Sequence, residues 1–261
     1  MTQMPHSAAC RIVSGAEYVE QITALESDRR TRSAFQDLVL RIAPPGAALF
    51  DFGAGPGIDA RFYAERGCTV AAYDVDPKMC EFFALHCRDL MEAGRVTLDG
   101  GSYRAFLARK AVEERGVDLV TANFAPLSLV ADLKELFAKF HAITAPNGKV
   151  LASVLSPYFL GDLRYGWWWR NALRLWRHGR YCVQGSQAPI FRRRLADFTA
   201  QSAPYFKLQR VFRGLPPRRG QTANGVDVSA GARHAWLHLT TGLFMFLLFE
   251  KCELREPRSP P

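Results

Sequence analysis

The glycine-rich stretch LFDFGAGPGIDA at residues 49–60 constrains the fold of this chain more than any other feature. An apolar run leads into Asp51, and glycines follow at alternate positions, Gly53, Gly55 and Gly57. Glycine has no Cβ and tolerates positive φ, so a ligand can approach the backbone of such a turn closely. A helix that begins at Ile58 would add unpaired N–H groups at the same place. The stretch therefore predicts a nucleotide-type site at the carboxyl end of a first strand.

The spacing of the glycines argues against a dinucleotide. A dinucleotide-binding turn has the pattern G-x-G-x-x-G, and here Ile58 stands where that pattern has its third glycine. Asp51 also occupies a position that stays apolar in a dehydrogenase strand. A tight turn with no ligand is the alternative interpretation of the same residues.

Strands and helices alternate five times after this point. Near-continuous apolar strands are predicted at residues 47–52, 69–73, 95–98, 117–122 and 149–155. Helical segments are predicted at 17–42, 58–66, 77–90, 103–114 and 127–144. This alternation indicates an α/β fold with a doubly wound parallel sheet. The carboxyl ends of its strands meet at one edge, which collects Asp51, Asp74, the turn at 99–102, Asn123 and Ser156.

Residues from about 46 to 157 resemble, motif by motif, the core of the class I S-adenosylmethionine-dependent methyltransferases. The segments that carry the resemblance are LFDFGAGPG, with the pattern D-x-G-x-G-x-G, then VAAYDVDPKM, TLDGGSYRAF, VDLVTANFAPL and APNGKVLASVLSP. The resemblance implies S-adenosyl-L-methionine as cofactor. It also implies a Rossmann-like doubly wound sheet of seven strands, six parallel and the last antiparallel. Residues 205–212 and 243–250 suit its final two strands.

The resemblance also assigns residues to the cofactor. Asp74 would accept from the ribose hydroxyls, the glycine turn would face the methionine part, and Asp51 would orient that turn or accept from the amino group. The family has an acid for the adenine amino group where this sequence has Ser102. The complete predicted cofactor set is Asp51, Gly53, Ala54, Gly55, Gly57, Asp74, Val75, Ser102, Tyr103, Asn123 and Phe124. The run at 27–32 is either a solvated helix face or a cap that closes over the cofactor.

One methyltransferase domain is predicted over residues 1–261. It comprises N-terminal helices (1–45), a cofactor-binding core (46–157), an aromatic and basic lid inserted after strand five (158–203) and C-terminal strands (204–255). Helices are predicted in the lid at 167–178 and 191–203. Predicted substrate contacts are Tyr158, Arg164, Tyr165 and Trp168.

The positive charge of the chain is concentrated in one region. Residues 160–219 hold 13 Lys or Arg against two acids, although the net charge of the whole chain is only +9. Trp stacking and Arg pairing would suit a small molecule that is aromatic or apolar and anionic. Alternatives are a lipid substrate at an anionic membrane contacted by residues 164–180, an RNA substrate, a Trp stripe that packs as the core of the lid, or a solvated basic face.

No general base and no metal-ligand spacing stand out, so the catalytic residue is left open and no metal is predicted. The cysteines lack a C-x-x-C pair and no signal peptide is visible, which favours a reduced, cytoplasmic protein. The oligomeric state is left open. A degenerate cofactor-binding scaffold is the non-enzymatic alternative.

Overall fold

The computed structural model describes residues 25–109, 116–184, 189–213, 226–227 and 243–254. Its main feature is an eight-stranded sheet. The strands of this sheet are β1 (Ala48–Phe52), β2 (Thr69–Asp74), β3 (Val96–Gly100), β4 (Val117–Ala122), β5 (Thr144–Leu155), β8 (Phe206–Arg213), β9 (Val226–Asp227) and β10 (Phe244–Lys251). Their order across the sheet is β3-β2-β1-β4-β5-β10-β8-β9. Strands β6 (Arg180–Gln184) and β7 (Pro189–Arg193) form a separate antiparallel hairpin.

The strand directions confirm the predicted sheet. Strands β1 to β5 pair in parallel, and β10 runs antiparallel between β5 and β8. The six parallel strands and the antiparallel last strand are therefore present, and β9 adds two residues at the edge beside β8. The carboxyl ends of β1, β2, β4 and β5 consequently lie along one edge of the sheet.

The described helices are α1 (Glu26–Ile42), α2 (Ile58–Ala64), α3 (Pro77–His86), α4 (Arg88–Glu92), α5 (Tyr103–Ala108), α6 (Leu133–Ile143), α7 (Gly166–His178) and α8 (Leu195–Ser202), with 3₁₀ turns at Pro126–Leu129 and Leu160–Asp162. The predicted helix at 77–90 is divided at Cys87. The predicted helix at 127–144 begins only at Leu133, because Asp132 caps it by accepting from the Lys134 amide at 2.8 Å. Residues 17–24 and 110–114 of predicted helices lie outside the described residues.

Two apolar layers flank the sheet. The side chains of strand β10 alternate between these two layers. Leu247 and Phe249 belong to the cluster on one face of the sheet, and Phe246 and Leu248 belong to the cluster on the other face. Helix α6 covers the first face through Phe137 and α1 covers the second through Phe35. Among the described helices, none combines the length and apolarity needed to cross a membrane.

The prediction of a helix at 191–203 is wrong at its start. Residues 189–193 form β7, which pairs residue by residue with β6, and α8 begins at Leu195. The strand is favoured because its alternation turns Arg193 into the interior, where the guanidinium reaches backbone carbonyls. The predicted helix at 167–178 is confirmed as α7, one residue longer at its start.

Candidate functional site

The turn after β1 leaves no room for a side chain at Gly53. This residue has a φ of +73°, and a Cβ built on it would lie 2.7 Å from Cβ of Pro126. The turn is fastened to the neighbouring strand, because the Gly53 and Ala54 amides both donate to the Tyr73 carbonyl, at 2.8 and 3.1 Å. Backbone is therefore presented bare at the carboxyl edge of the sheet, as the sequence predicts.

Gly57 ends the turn and begins α2. It has a φ of +82°, and a Cβ there would lie 2.8 Å from the Phe83 ring and 2.9 Å from Sγ of Cys87. The glycine lets α2 start close against α3, which directs the first amides of α2 toward the same edge.

Asp74 ends β2 and holds the turn in place. Its Oδ2 accepts from the Gly55 amide at 2.7 Å, and its Oδ1 accepts from the Asp76 amide at 2.9 Å. Burial raises the pKa of this carboxyl from its ordinary value. A carboxylate has about four acceptor positions, so these bonds leave acceptor capacity for hydroxyls of a ligand. The neighbouring Val75 is 56% exposed and offers an apolar surface beside them.

Asp51 is buried with one oxygen unpaired. Its Oδ1 accepts from the Thr121 hydroxyl at 2.8 Å, whereas Oδ2 has no hydrogen-bond partner among the described residues. Burial, followed by the nearby charge of Asp59, raises the pKa of Asp51 to about 7. A buried acceptor without a donor is uncommon in a folded protein. It fits a site where a cationic or N–H-bearing ligand supplies the missing donor.

The sequence analysis missed a third acid in this site, Asp59 on α2. Its Oδ2 accepts from Arg32 Nη1 at 2.6 Å and from Asn123 Nδ2 at 3.0 Å, and its Oδ1 accepts from Gln36 Nε2 at 2.7 Å. Arg32 and Gln36 lie on α1, so this cluster draws α1 onto the glycine turn. An acid in the first turn of a helix is common and does not by itself indicate a site. The burial of Asp59 depends on residues distant in sequence, so a local sequence pattern does not predict it.

Asn123 and Phe124 follow β4 at the same edge. Asn123 Oδ1 accepts from the Phe124 amide at 2.9 Å and from the Ser153 hydroxyl at 3.2 Å. Phe124 and Ala125 both have positive φ, at +59° and +65°. Strained conformations of non-glycine residues concentrate at functional sites. The Arg32 guanidinium lies 4.5 Å from the Phe124 ring centroid, so α1 also covers this turn.

Ser102 and Tyr103, predicted at the adenine end, differ in their contacts, because the buried Tyr103 hydroxyl has no hydrogen-bond partner among the described residues and Ser102 has one. The Ser102 hydroxyl caps α5 by accepting from the Ala105 amide at 3.2 Å. The Tyr103 ring packs toward the interior, 6.4 Å from the Phe52 ring, and burial raises the pKa of its hydroxyl above the ordinary value. Their contact with adenine stays a prediction.

The four predicted substrate residues lie on the segment after β5. Trp168 donates its indole N–H to the Pro157 carbonyl at 3.0 Å, which holds α7 against the end of β5 beside Tyr158. The Arg164 guanidinium lies 4.8 Å from the Tyr165 ring centroid at the start of α7. Burial raises the pKa of the Tyr158 hydroxyl. These residues border the carboxyl edge, and their contact with a substrate stays a prediction.

Two lid arginines have structural roles. Arg192 donates to the Ser156 carbonyl at 2.7 Å and pairs with Asp162. Arg193 is fully buried and donates to the carbonyls of Leu127 at 3.3 Å and Ala131 at 2.9 Å, and burial lowers its pKa to about 10. The hairpin is thus fixed to the loop after β4. The positive surface of the lid depends on its other arginines.

Comparisons with known proteins identify the family of this chain. The sequence model of a family described as “Methyltransferase domain” matches residues 27–195, well over half of the chain. The trans-aconitate 2-methyltransferase of Variovorax paradoxus is 32% identical over 122 residues, which are 46% of this chain and 43% of that protein. The malonyl-[acyl-carrier protein] O-methyltransferase of Erwinia billingiae is 28% identical over 123 residues, 47% of this chain and 44% of that protein. The match thus spans less than half the length of these curated relatives.

A solved structure extends the likeness to nearly the whole chain at the level of fold. The 1,6-didemethyltoxoflavin-N1-methyltransferase of Burkholderia thailandensis superposes with a TM-score of 0.53 at 18% identity, over 97% of this chain and 92% of that one. Its structure contains 1,6-didemethyltoxoflavin and S-adenosylhomocysteine.

Proposed function

This chain belongs to the methyltransferase domain family, and we propose that it transfers the methyl group of S-adenosylmethionine to a small acceptor that carries a carboxylate. The observation that carries the proposal is the carboxyl edge of the sheet. There the bare turn at Gly53, the acceptor positions of Asp74 and the unpaired oxygen of Asp51 lie on adjoining strands. The predicted family and its cofactor are confirmed by this membership.

The described residues suit the ribose and methionine parts of the cofactor. Asp74 has acceptor positions for ribose hydroxyls, and Asp51 Oδ2 has one for the methionine ammonium. Arg32 keeps further N–H donors beyond its bond to Asp59, and these suit the methionine carboxylate. When bound, the cofactor supplies an electrophilic methyl on a good leaving group. The protein must then position the acceptor behind that methyl and exclude water.

Three observations favour a carboxylate as the acceptor. The two curated relatives are named for trans-aconitate and for a malonyl group on a carrier protein, and each of these bears a free carboxylate. The lid beside β5 has an exposed guanidinium, that of Arg164. The buried indole N–H of Trp167, also in the lid, has no hydrogen-bond partner among the described residues. A carboxylate is already ionised near neutral pH, so its methylation needs no general base.

Calorimetric titration with S-adenosylhomocysteine tests the cofactor part of the proposal. We expect the wild type to bind it and Asp74→Asn to bind it about ten- to a hundredfold more weakly, since one charged acceptor is lost. Asp89→Asn is the matched control, because Asp89 is an exposed acid paired with Arg61. A wild type that does not bind the ligand contradicts the proposal. A wild type that binds it but transfers no methyl group to any acceptor favours the scaffold alternative.

A further inference from the structure

Helix α7 presents an apolar stripe to solvent. Trp169, Leu173 and Trp176 follow one another at helical spacing and are 62, 65 and 70% exposed. The interpretation of this stripe as the core of the lid is therefore wrong. Helix α7 is held instead by its other side, where Leu175 is buried and Trp168 donates to Pro157. The Trp169 indole N–H donates to the Leu163 carbonyl at 2.8 Å, which leaves the ring itself outward.

A basic stripe runs beside the apolar one. Arg170, Arg174 and Arg177 are all exposed, and they lie next to the Trp–Leu stripe around the helix axis. Residues 164–180 contain five arginines and no acid. Of the three stripe arginines, Arg174 contacts Asn171 at 3.4 Å, a long and neutral interaction that leaves its charge uncompensated.

We propose that α7 docks this chain onto the surface of an anionic lipid bilayer. The stripe of Trp169, Leu173 and Trp176 would lie at the boundary of the acyl chains, and Arg170, Arg174 and Arg177 would contact lipid phosphates. A helix with Trp and Leu on one face and arginine on the next is the kind that lies in a bilayer interface. Indole rings favour the headgroup level, and each nearby arginine adds electrostatic attraction. With 13 residues, α7 is about 20 Å long, suited to lie in that plane.

The positive charge of this face argues against a second copy of the chain, and its apolar stripe argues against a nucleic acid. In a symmetric contact with a second copy, the same surface faces itself, and the arginine stripes of the two helices would be brought together. A nucleic acid would use the arginines and could stack on the tryptophans, but Leu173 at the centre of the apolar stripe would contribute neither contact. An anionic bilayer uses all six side chains at once.

Helix α7 lies next to the carboxyl edge of the sheet, so docking would bring that edge close to the bilayer. Trp168 ties the helix to Pro157, which follows the carboxyl end of β5. The bilayer surface would therefore lie beside the edge that holds the candidate cofactor site. The proposal does not depend on methyl transfer, since docking requires only a folded chain.

Flotation of the full chain with vesicles tests the proposal. We expect binding to phosphatidylcholine vesicles that contain phosphatidylglycerol, little binding to phosphatidylcholine alone, and weaker binding as salt is added. Trp emission should shift to shorter wavelength on binding. The variant Arg170→Gln, Arg174→Gln, Arg177→Gln should lose roughly hundredfold in partitioning. The variant Trp169→Gln, Leu173→Gln, Trp176→Gln should lose at least about tenfold, because it removes the apolar contact area.

Matched controls distinguish binding through α7 from a general effect of the charge or hydrophobicity of the chain. Arg66→Gln, Arg88→Gln, Arg104→Gln removes three exposed arginines elsewhere, and Leu85→Gln removes a leucine that is 63% exposed on α3. Both should bind vesicles as the wild type does. Unchanged S-adenosylhomocysteine binding or far-ultraviolet circular dichroism shows that each variant is folded.

Three results would overturn the proposal. They are a wild type that does not float with anionic vesicles, α7 variants that float as well as the wild type, and a face that instead forms a dimer or binds RNA without binding vesicles. Loss of vesicle binding with methyl transfer retained in solution would affect this proposal alone.

Discussion

The Arg32 guanidinium on α1 lies 2.6 Å from Oδ2 of Asp59 on α2, and both side chains are largely buried, at 14 and 7% exposure. The pair fastens the N-terminal helix over the glycine turn. Gln36 and Asn123 donate to the same carboxylate, so one acid joins α1, α2 and the end of β4.

We expect Arg32→Met to lower the free energy of unfolding by about 3 kcal/mol, because it leaves a buried carboxylate without its cation. Urea unfolding measures this. Arg30→Met is the control, since Arg30 is 59% exposed and its pair with Glu26 should contribute less than about 1 kcal/mol. Arg32→Met, Asp59→Asn should regain part of the loss. Equal effects of Arg32→Met and Arg30→Met would show that the buried pair does not fasten α1.

Gly53 and Gly46 offer a matched pair, because both have a φ of +73°. Only Gly53 faces another residue, since a Cβ at Gly46 meets nothing within 4 Å. Alanine should cost about 1 kcal/mol at Gly46 through the left-handed backbone alone. At Gly53 we expect about 2–4 kcal/mol, together with weaker S-adenosylhomocysteine binding, because Pro126 must move. Chemical denaturation and calorimetry compare the two variants. Equal losses of unfolding free energy at the two positions would mean that the contact with Pro126 costs no stability.

The raised pKa of Asp51 predicts a pH dependence of stability. Its pKa is about 7 in the folded chain against an ordinary 3.8, so between these values the folded chain holds a proton that the unfolded chain has lost. The free energy of unfolding should therefore fall as pH rises from about 4 to about 7. Asp51→Asn removes this dependence and should be the more stable form at pH 8, by a few kcal/mol, with a smaller difference at pH 5.

Asp89→Asn is the control for these measurements of stability against pH. The pKa of Asp89 is lowered by its pair with Arg61, whereas the pKa of Asp51 is raised. In the wild type, S-adenosylhomocysteine affinity should rise between about pH 6 and pH 8, as Asp51 ionises to face the ligand's ammonium. In Asp51→Asn this rise should be absent. A wild-type affinity that is flat over the same range would place the ammonium elsewhere.

We expect Arg193 to contribute to the stability of the fold rather than to the positive surface of the lid. Arg193→Met leaves the carbonyls of Leu127, Val130 and Ala131 without their donor, and we expect a loss of about 2–4 kcal/mol in urea unfolding. Arg194→Met is the control, because the Arg194 guanidinium donates to the Trp176 carbonyl at 3.2 Å in an exposed bond. If both variants unfold alike, the buried guanidinium does not hold the hairpin to the sheet.

The sequence predicted those parts of the structure that depend on local patterns. The five parallel strands follow from apolar runs, and the turn at Gly53 follows from its glycines. The hairpin of β6 and β7 was missed because Arg193 reads as a surface cation until the carbonyls after β4 are known. Asp59 was missed for the same reason, since its three donors come from α1 and from Asn123 after β4, up to 64 residues away. Contacts between distant segments decide whether a charged residue is buried.

The most direct measurement is transfer of a labelled methyl group from S-adenosylmethionine into a small-molecule extract, by the wild type and by Asp74→Asn. We expect label in base-labile methyl esters of carboxylic acids, and about tenfold less label with Asp74→Asn at limiting cofactor, because the ribose loses a charged acceptor. Label that resists base would contradict a carboxylate acceptor. Absence of label in every fraction would contradict methyl transfer itself.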